Sequence, residues 1–490
     1  MTAWIARRLL SLAVIASVPS DTHCISHVLD RVSFGARPGD VDRVRSIGID
    51  RYIDEQLHPE RLADTGLDAR LAELTTLRMS SREIAEAFEI PEIRAREAAA
   101  KAGDGETKAD PEQQRRAATV VIELQQQKIL RAIYSNRQLQ EVLADFWFNH
   151  FNVDARKGAD RFMLTSYERD VIRPHVFGKF RDLLEATAKS PAMLFYLDNW
   201  MSADPNGPHV DEMPRARVVR GAFGRPMLVQ PSLGALAARQ KQNANAPKGL
   251  NENYGRELME LHTLGVDGGY TQQDVTEVAR AFTGWTIDRP RLGGEFTFNA
   301  RLHDEGRKTV LGHVIKAGGQ RDGEEVLDIL ARHPSTARFI ATKLVRRFVS
   351  DTPPASLVDR VAARFRDTDG DLREVVRAIL TSPEFFSAEV YHAKVKTPFE
   401  FVVSAARATD ADIRDARPLV RQLTELGMPL YQCQPPTGYK DSADAWVNTG
   451  ALVGRMNFGI ALTSNKIRGV VVSNTTPDAI TLGAPDFQRR

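Results

Sequence analysis

The chain has 490 residues, of which 42 % are hydrophobic and 27 % charged, and its formal net charge is +2. A chain of that length buries a large apolar core without disulfides or a structural metal. The balance of charge excludes the strongly basic face that nucleic-acid binding requires, so no nucleic-acid partner is expected.

Residues 1–20 set Arg7 and Arg8 before an apolar run from Leu9 to Val18. Two readings fit. One is a secretory signal peptide, which places the mature protein in the periplasm or outside the cell; the other is an amphipathic first helix of a cytoplasmic protein. The run is too short to cross a bilayer and no other segment approaches that length, so no transmembrane segment is expected. Cys24 and Cys433 lack the close spacing of a zinc or redox pair, and spacing leaves open whether they join in one long-range disulfide.

Residues 21–470 read as a single helical domain. Val28, Leu29 and Val32 fall at helical spacing, Gly35 to Gly39 break the pattern, and Asp40 caps the next helix. Residues 93–116 form a first insertion, a charged helix running into a loop. Residues 117–151 are strongly periodic through Leu124, Ile129, Ile133, Leu139, Leu143 and Trp147. A second insertion, 204–250, is rich in Pro, Gly, Asn and Arg. Its Arg215, Arg217, Arg220 and Arg225 read as a solvated loop.

Helices over 251–264 and 271–282 follow. Residues 293–319 then alternate around Phe296 and Phe298, which predicts a hairpin or two. Ser335, Ser356 and Asp371 are expected caps of three successive helices. Residues 394–463 continue as helices around a loop at Pro435-Pro436, and 471–490 read as a loose tail. The predicted fold is all-α or predominantly α: a multi-helix globular body with a small β-hairpin excursion near 293–319.

Several blocks stand out: Ser33-Phe34-Gly35 with Asp40; Phe146-Trp147-Phe148-Asn149-His150-Phe151; Tyr167-Glu168 with Arg173-Pro174-His175; and the run from Asn251 to Gly265, NENYGRELMELHTLG. Thr283-Gly284-Trp285, His303-Asp304-Glu305-Gly306 with Lys308, His333-Pro334, and Pro435-Pro436-Thr437-Gly438-Tyr439 follow. Together they resemble a large bacterial family known as domain of unknown function 1800, over about residues 28–462. The last block departs from the family pattern, which usually has Trp where this chain has Tyr439. The resemblance implies a shared fold and a bacterial origin, and it implies no particular activity. Relatives often carry export signals.

The residues themselves suggest more. On a helix, Tyr254, Leu258, Leu261 and Leu264 form an apolar stripe, with Asn253, Glu257 and Glu260 beside it. Two carboxylates one turn apart on that margin repel unless a cation compensates them, whether Arg256, a residue of another helix or a divalent metal ion. His150 recurs with Leu143 and Trp147 on one inward face. His262 falls on the far flank of the stripe unless the helix loosens before Gly265. The leading expectation is therefore an acid–base or metal-assisted enzyme, a hydrolase or an oxidoreductase. Glu257, Glu260 and His150 are its catalytic groups, Trp147, Arg256 and Trp285 its substrate contacts, and His150, Glu257, His262, His303 and Asp304 its metal ligands. The alternative is an export-linked accessory or scaffold protein, in which the same Glu, His and Arg residues form a buried structural network.

Overall fold

The computed structural model describes residues 22–101, 111–207, 217–220, 226–229, 249–473 and 477–490. The expectations for residues 1–20, and for Arg215 and Arg225, lie outside the described residues. Helix exceeds strand by 61 % to 5 %, in agreement with the predicted class.

The helices follow the apolar spacing. Helix α1 (Thr22–Val32) buries Ile25, Val28, Leu29 and Val32, one stripe of 3.6-residue period. Helix α2 (Ile90–Lys101) continues a short helix that starts at Ser81. The long α3 (Pro111–Tyr134) and α4 (Gln138–His150) cross the middle of the molecule, and α4 buries Leu139, Val142, Leu143, Phe146, Trp147 and His150. Helix α5 (Asp160–Ser166) packs on α3. Helix α6 (Glu252–Glu257) is capped by the side chain of Asn251, and α7 (Gln272–Ala281) by a reciprocal Thr271–Asp274 box.

A run of antiparallel neighbours comes next: α8 (Gln320–Arg332), α9 (Pro334–Phe348), α10 (Ala355–Asp367) and α11 (Leu372–Leu380). Helices α12 (Pro398–Ala408) and α13 (Arg417–Glu425) both pack against α3. Helix α14 (Thr449–Thr463) packs on α12 and on the short α15 (Ala479–Gly483). No helix among the described residues is long and apolar enough to cross a membrane.

Strand occurs as four two-stranded antiparallel ladders among the described residues. They pair β1 (Arg217–Arg220) with β2 (Pro226–Val229), β3 (Trp285–Ile287) with β4 (Phe296–Phe298), β5 (Lys308–Val310) with β6 (His313–Ile315), and β7 (Asp412–Ile413) with β8 (Val470–Val471). The expected excursion at 293–319 is present. It borrows its first strand from Trp285–Ile287, and ladders of two to four residues a side also occur outside it, too short to show alternation in sequence.

Two further expectations are corrected. Of the three expected caps only Asp371 caps, by accepting from Glu374 N. Helix α9 starts one residue before Ser335 because Pro334 suits a first helical position, and the cap is His333, whose Nδ1 accepts from Ser335 N at 3.2 Å. Pro354 stands at the cap position before α10, ahead of Ser356.

The tail, expected loose, is packed over residues 477–490. Arg490 and Lys394 exchange backbone hydrogen bonds at 2.8 and 3.2 Å, and Lys396 N donates to Gln488 O at 2.9 Å. Arg490 lies 3.0 Å from Glu400, which also takes Arg347 and completes the cap box of Thr397. Cys24 and Cys433 are not joined in a disulfide.

Gly255 marks a close crossing of α6 and α7. A Cβ there would stand 2.9 Å from Val275 O and 3.1 Å from Ala279 N on α7. Gly255→Ala is therefore expected to push α6 off α7 and destabilise the fold by roughly 1–3 kcal/mol. Urea unfolding checks this: a midpoint at or above the parent's shows that the crossing is not tight.

Candidate functional site

Among the described residues, three helical turns carry one residue too many. Ile90 N reaches back to Ala85 O, Arg173 N to Glu168 O and Leu264 N to Met259 O, each a step of five. Two of these wide turns, Ala85–Glu89 and Tyr167–Ile172, end just before Pro91 and Pro174. A proline has no N–H to give and its ring presses on the carbonyl four residues back, so the chain stays helical by widening the preceding turn. The third turn, Leu258–Thr263, is reinforced by Thr263 Oγ1 donating to Leu258 O at 2.7 Å.

That third turn changes the placement of His262. An extra residue rotates everything after it backward around the helix, so His262 lies on the buried side and not on the outer flank that ideal geometry gives. Its ring packs 5.1 Å from Phe151 and 6.3 Å from His150. His150 Nε2 donates to the His262 carbonyl at 3.1 Å, which leaves Nδ1 to accept from Lys343 at 2.8 Å. Burial, with Lys343 adding, holds His150 well below the ordinary imidazole range and His262 at about 3. Burial also lowers Lys343 to about 8. Both rings are neutral at physiological pH.

No hydrogen bond or ion pair joins Glu257 or Glu260 to a histidine among the described residues. Both are half-buried, and Glu260 accepts from the Tyr270 hydroxyl at 3.1 Å. Burial and the neighbouring Glu260 raise the pKa of Glu257, against Arg256. Arg256 itself turns to Gln272 at 2.6 Å. Trp147 and Trp285 are 0 % exposed, so the substrate contact expected of each is closed off by packing.

His303 and Asp304 form a separate network. His303 contacts Thr283 O at 2.8 Å and Asp322 at 3.1 Å; Lys308 pairs with Asp322 at 2.7 Å; Arg280 grips Asp304 at 2.7 and 3.0 Å. These contacts tie β5 and its loop to α7 and α8. The candidate metal ligands are thus divided among different surroundings, and no group of three His, Cys, Asp or Glu suited to a metal is present among the described residues.

The Phe146–Phe151 block has a mechanical role. Asn149 Nδ2 donates to Tyr439 O and its Oδ1 accepts from Tyr439 N, both at 2.7 Å, as a paired strand would. Asn152 holds Cys433 O and Pro435 O at 2.8 and 3.0 Å. The clamp closes over Gly438, where a Cβ would meet Asn149 O at 2.2 Å. Beside it lies a crevice of about 60 Å³ with the Lys128–Asp145 pair on its wall, room for about two waters.

A far larger cleft opens between α2, α3 and α5, with a volume of about 650 Å³, in the range of small-molecule sites. One wall is apolar, from Val121, Ile122 and Phe162; the other carries Arg96, Arg156, Arg161 and Arg291. Glu92 takes both Arg96 and Arg161, at 2.6 and 2.5 Å, while Asp154 holds Arg156 at 2.9 Å. Arg291 has no ion pair among the described residues, so guanidinium charge is in excess.

Glu89 faces this cleft from the wide turn before Pro91. It is 5 % exposed, lines the cavity, and has no hydrogen-bond partner among the described residues. Burial raises its pKa to about 7, with Arg291 and Arg161 opposing and Glu92 adding. Sequence reasoning missed Glu89. The signal that could have found it is a proline inside a helical run, two residues after a carboxylate and followed by Glu92 and Arg96 on the same face.

A family model described as a protein of unknown function, DUF1800, matches residues 27–485, and the chain belongs to that family. Neither the curated proteins nor the solved structures contain a match to the chain.

The neutral histidines make stability depend on pH. His262 has a folded pKa of about 3, below its unfolded value, so its contribution is complete above about pH 6.5 and is lost as pH falls towards 3. Between pH 7 and 4.5 the loss is roughly 2 kcal/mol from this residue. Denaturant unfolding of His262→Asn across that interval is expected to show a shallower pH dependence than the parent. An unchanged slope would mean that the imidazole is not held neutral.

Proposed function

Membership of this family attaches no reaction to the chain, and we propose from the cleft that the protein is an acid–base enzyme acting on an organic anion, with Glu89 as its proton-transfer group. One observation carries this reading: a buried carboxyl group, with no hydrogen bond or ion pair among the described residues, faces a cavity of about 650 Å³ rimmed by four guanidinium groups. A structural carboxylate in such company would be paired. Glu89 makes no ion pair with these arginines among the described residues, and its pKa of about 7 lets it hold or release a proton near neutrality.

The roles divide by chemistry. Arg96, Arg161 and Arg291 orient the charged end of the ligand, and Val121, Ile122 and Phe162 receive its apolar body. A bound anion beside Glu89 keeps that carboxyl protonated, which suits a general acid. The accessory-protein reading draws support from a different place, the His303–Asp322–Lys308 and Glu400–Arg347–Arg490 contacts, which lie inside the fold and leave the cleft unused.

The test uses 2-naphthoate, an aryl carboxylate that fits the cleft. Calorimetry at pH 7.5 in buffers of different ionisation heat is expected to show proton uptake on binding, and Glu89→Gln to bind without uptake. Replacing Arg161 and Arg291 by Met is expected to weaken binding at least tenfold. On an anion that the enzyme turns over, Glu89→Gln lowers the rate by about 10²–10⁴. Glu89 also carries a cost: its folded pKa lies above its unfolded one, so stability declines as pH rises from about 4.5 to 7. Glu89→Gln is therefore expected to raise stability at pH 8 by roughly 3 kcal/mol and to leave it nearly unchanged at pH 4.5. Equal proton uptake in parent and variant would overturn the reading.

A further inference from the structure

Helix α14 is apolar almost all round, yet half of it is uncovered. Its only charged side chain, Arg455, is buried and bonds Gln488 and Lys396 O at 2.9 and 2.7 Å. Leu452, Val453, Met456 and Ile460 fall within one 100° arc of the helix, on the side away from the core. Their exposures run from 46 % at Met456 to 51 % at Val453. Helix α15 lies along the edge of that arc, with Gly459 against Leu482 and Gly483 against Met456, and adds Ile480 at 82 % exposure. A helix of this composition is normally covered, and a contiguous exposed face of this kind marks an interaction surface.

The charge around the face selects its partner. From Ala445 to Pro477 the chain has no aspartate or glutamate. Lys466 and Arg468 follow the end of α14, and with Arg417 and Arg421 of α13 they line a cleft beside Ala461. Two acids share that cleft: Asp415, taken by Arg417 at 2.7 Å, and Glu425, bonded by Gln422 at 2.6 Å. Arg421, Lys466 and Arg468 make no ion pair among the described residues. A second copy of the chain meeting this face across a two-fold axis would bring cations against cations, with no carboxylate in the segment to relieve them. A lipid surface supplies what the face needs: an apolar boundary layer beside phosphate anions.

We propose that the α14 face is a seat on an anionic membrane surface. The apolar arc enters the headgroup boundary with the helix lying flat, and Arg421, Lys466 and Arg468 meet lipid phosphates at its rim. The seat is separate from the Glu89 cleft and does not depend on what that cleft binds.

Co-flotation of the full chain with vesicles tests it, using phosphatidylcholine alone and phosphatidylcholine with 30 % phosphatidylglycerol (about one lipid in three). Binding is expected to the anionic vesicles and to be weakened several-fold by 0.5 M salt, roughly a 4 Å screening length. Ile460→Asp is expected to abolish it. Lys466→Glu with Arg468→Glu is expected to lower the partition coefficient by about thirtyfold or more. Thermal melts equal to the parent's show that the variants fold. Equal binding by Ile460→Asp overturns the proposal, as does no binding to anionic vesicles. A concentration-dependent dimer in sedimentation that Ile460→Asp converts to monomer overturns it in favour of a second copy.

Discussion

A charge taken out of water must be neutralised, and this fold is organised by the ways it meets that requirement. Glu400 is buried between Arg347 and Arg490 and binds the cap of its own helix, which fastens α9, α12 and the tail to one point. Arg173 joins Glu141 and Glu168, and against burial Arg173, Lys128, the Tyr431 hydroxyl and Arg131 together keep Glu168 ionised. Lys308 and His303 surround Asp322. Each cluster joins separate elements, and the Glu400 cluster joins segments 53 residues and more apart, so each closes only when the chain around it has folded.

Glu89 breaks that pattern. Guanidinium groups are close enough to affect it, but none bonds it. Burial therefore wins over attraction, and the carboxyl keeps a proton up to about neutrality. Glu168 supplies the contrast within the same molecule. It occupies the same kind of proline-ended turn, yet Arg173 and Tyr431 reach it, and its pKa moves the other way. The backbone device is shared, and the difference lies in whether a partner arrives. A paired carboxylate holds a fold together; an unpaired one, facing a cavity, can exchange a proton with what enters.

The wide turns also show how a local irregularity is put to use. At Leu258–Thr263 the extra residue turns His262 into the core, where its carbonyl selects the tautomer of His150 and leaves Nδ1 for Lys343. The cost of keeping both rings neutral appears as sensitivity to acid. Where the sequence places paired carboxylates at the margin of α6, the fold leaves them half-exposed at and just beyond the end of a short helix, with Glu260 accepting from the Tyr270 hydroxyl.

The amino-acid sequence by itself determined the helical class, the main helices with their buried stripes, the hairpin around Phe296, and the family, because these rest on local periodicity and short blocks of residues. Leu139, Val142, Phe146 and His150 announce a buried face wherever α4 is placed. Only the tertiary structure decided which charged groups meet. His303 pairs with Asp322 and not with Glu257; Arg490 packs into the core from a segment with too little periodicity to announce it; Glu89 meets Arg161 and Arg291 across a cleft built from three separate stretches. The physical reason is that an electrostatic pairing depends on a few ångströms between side chains distant in sequence. A one-residue widening of a helical turn moves those side chains by that much, while leaving the pattern of apolar residues intact.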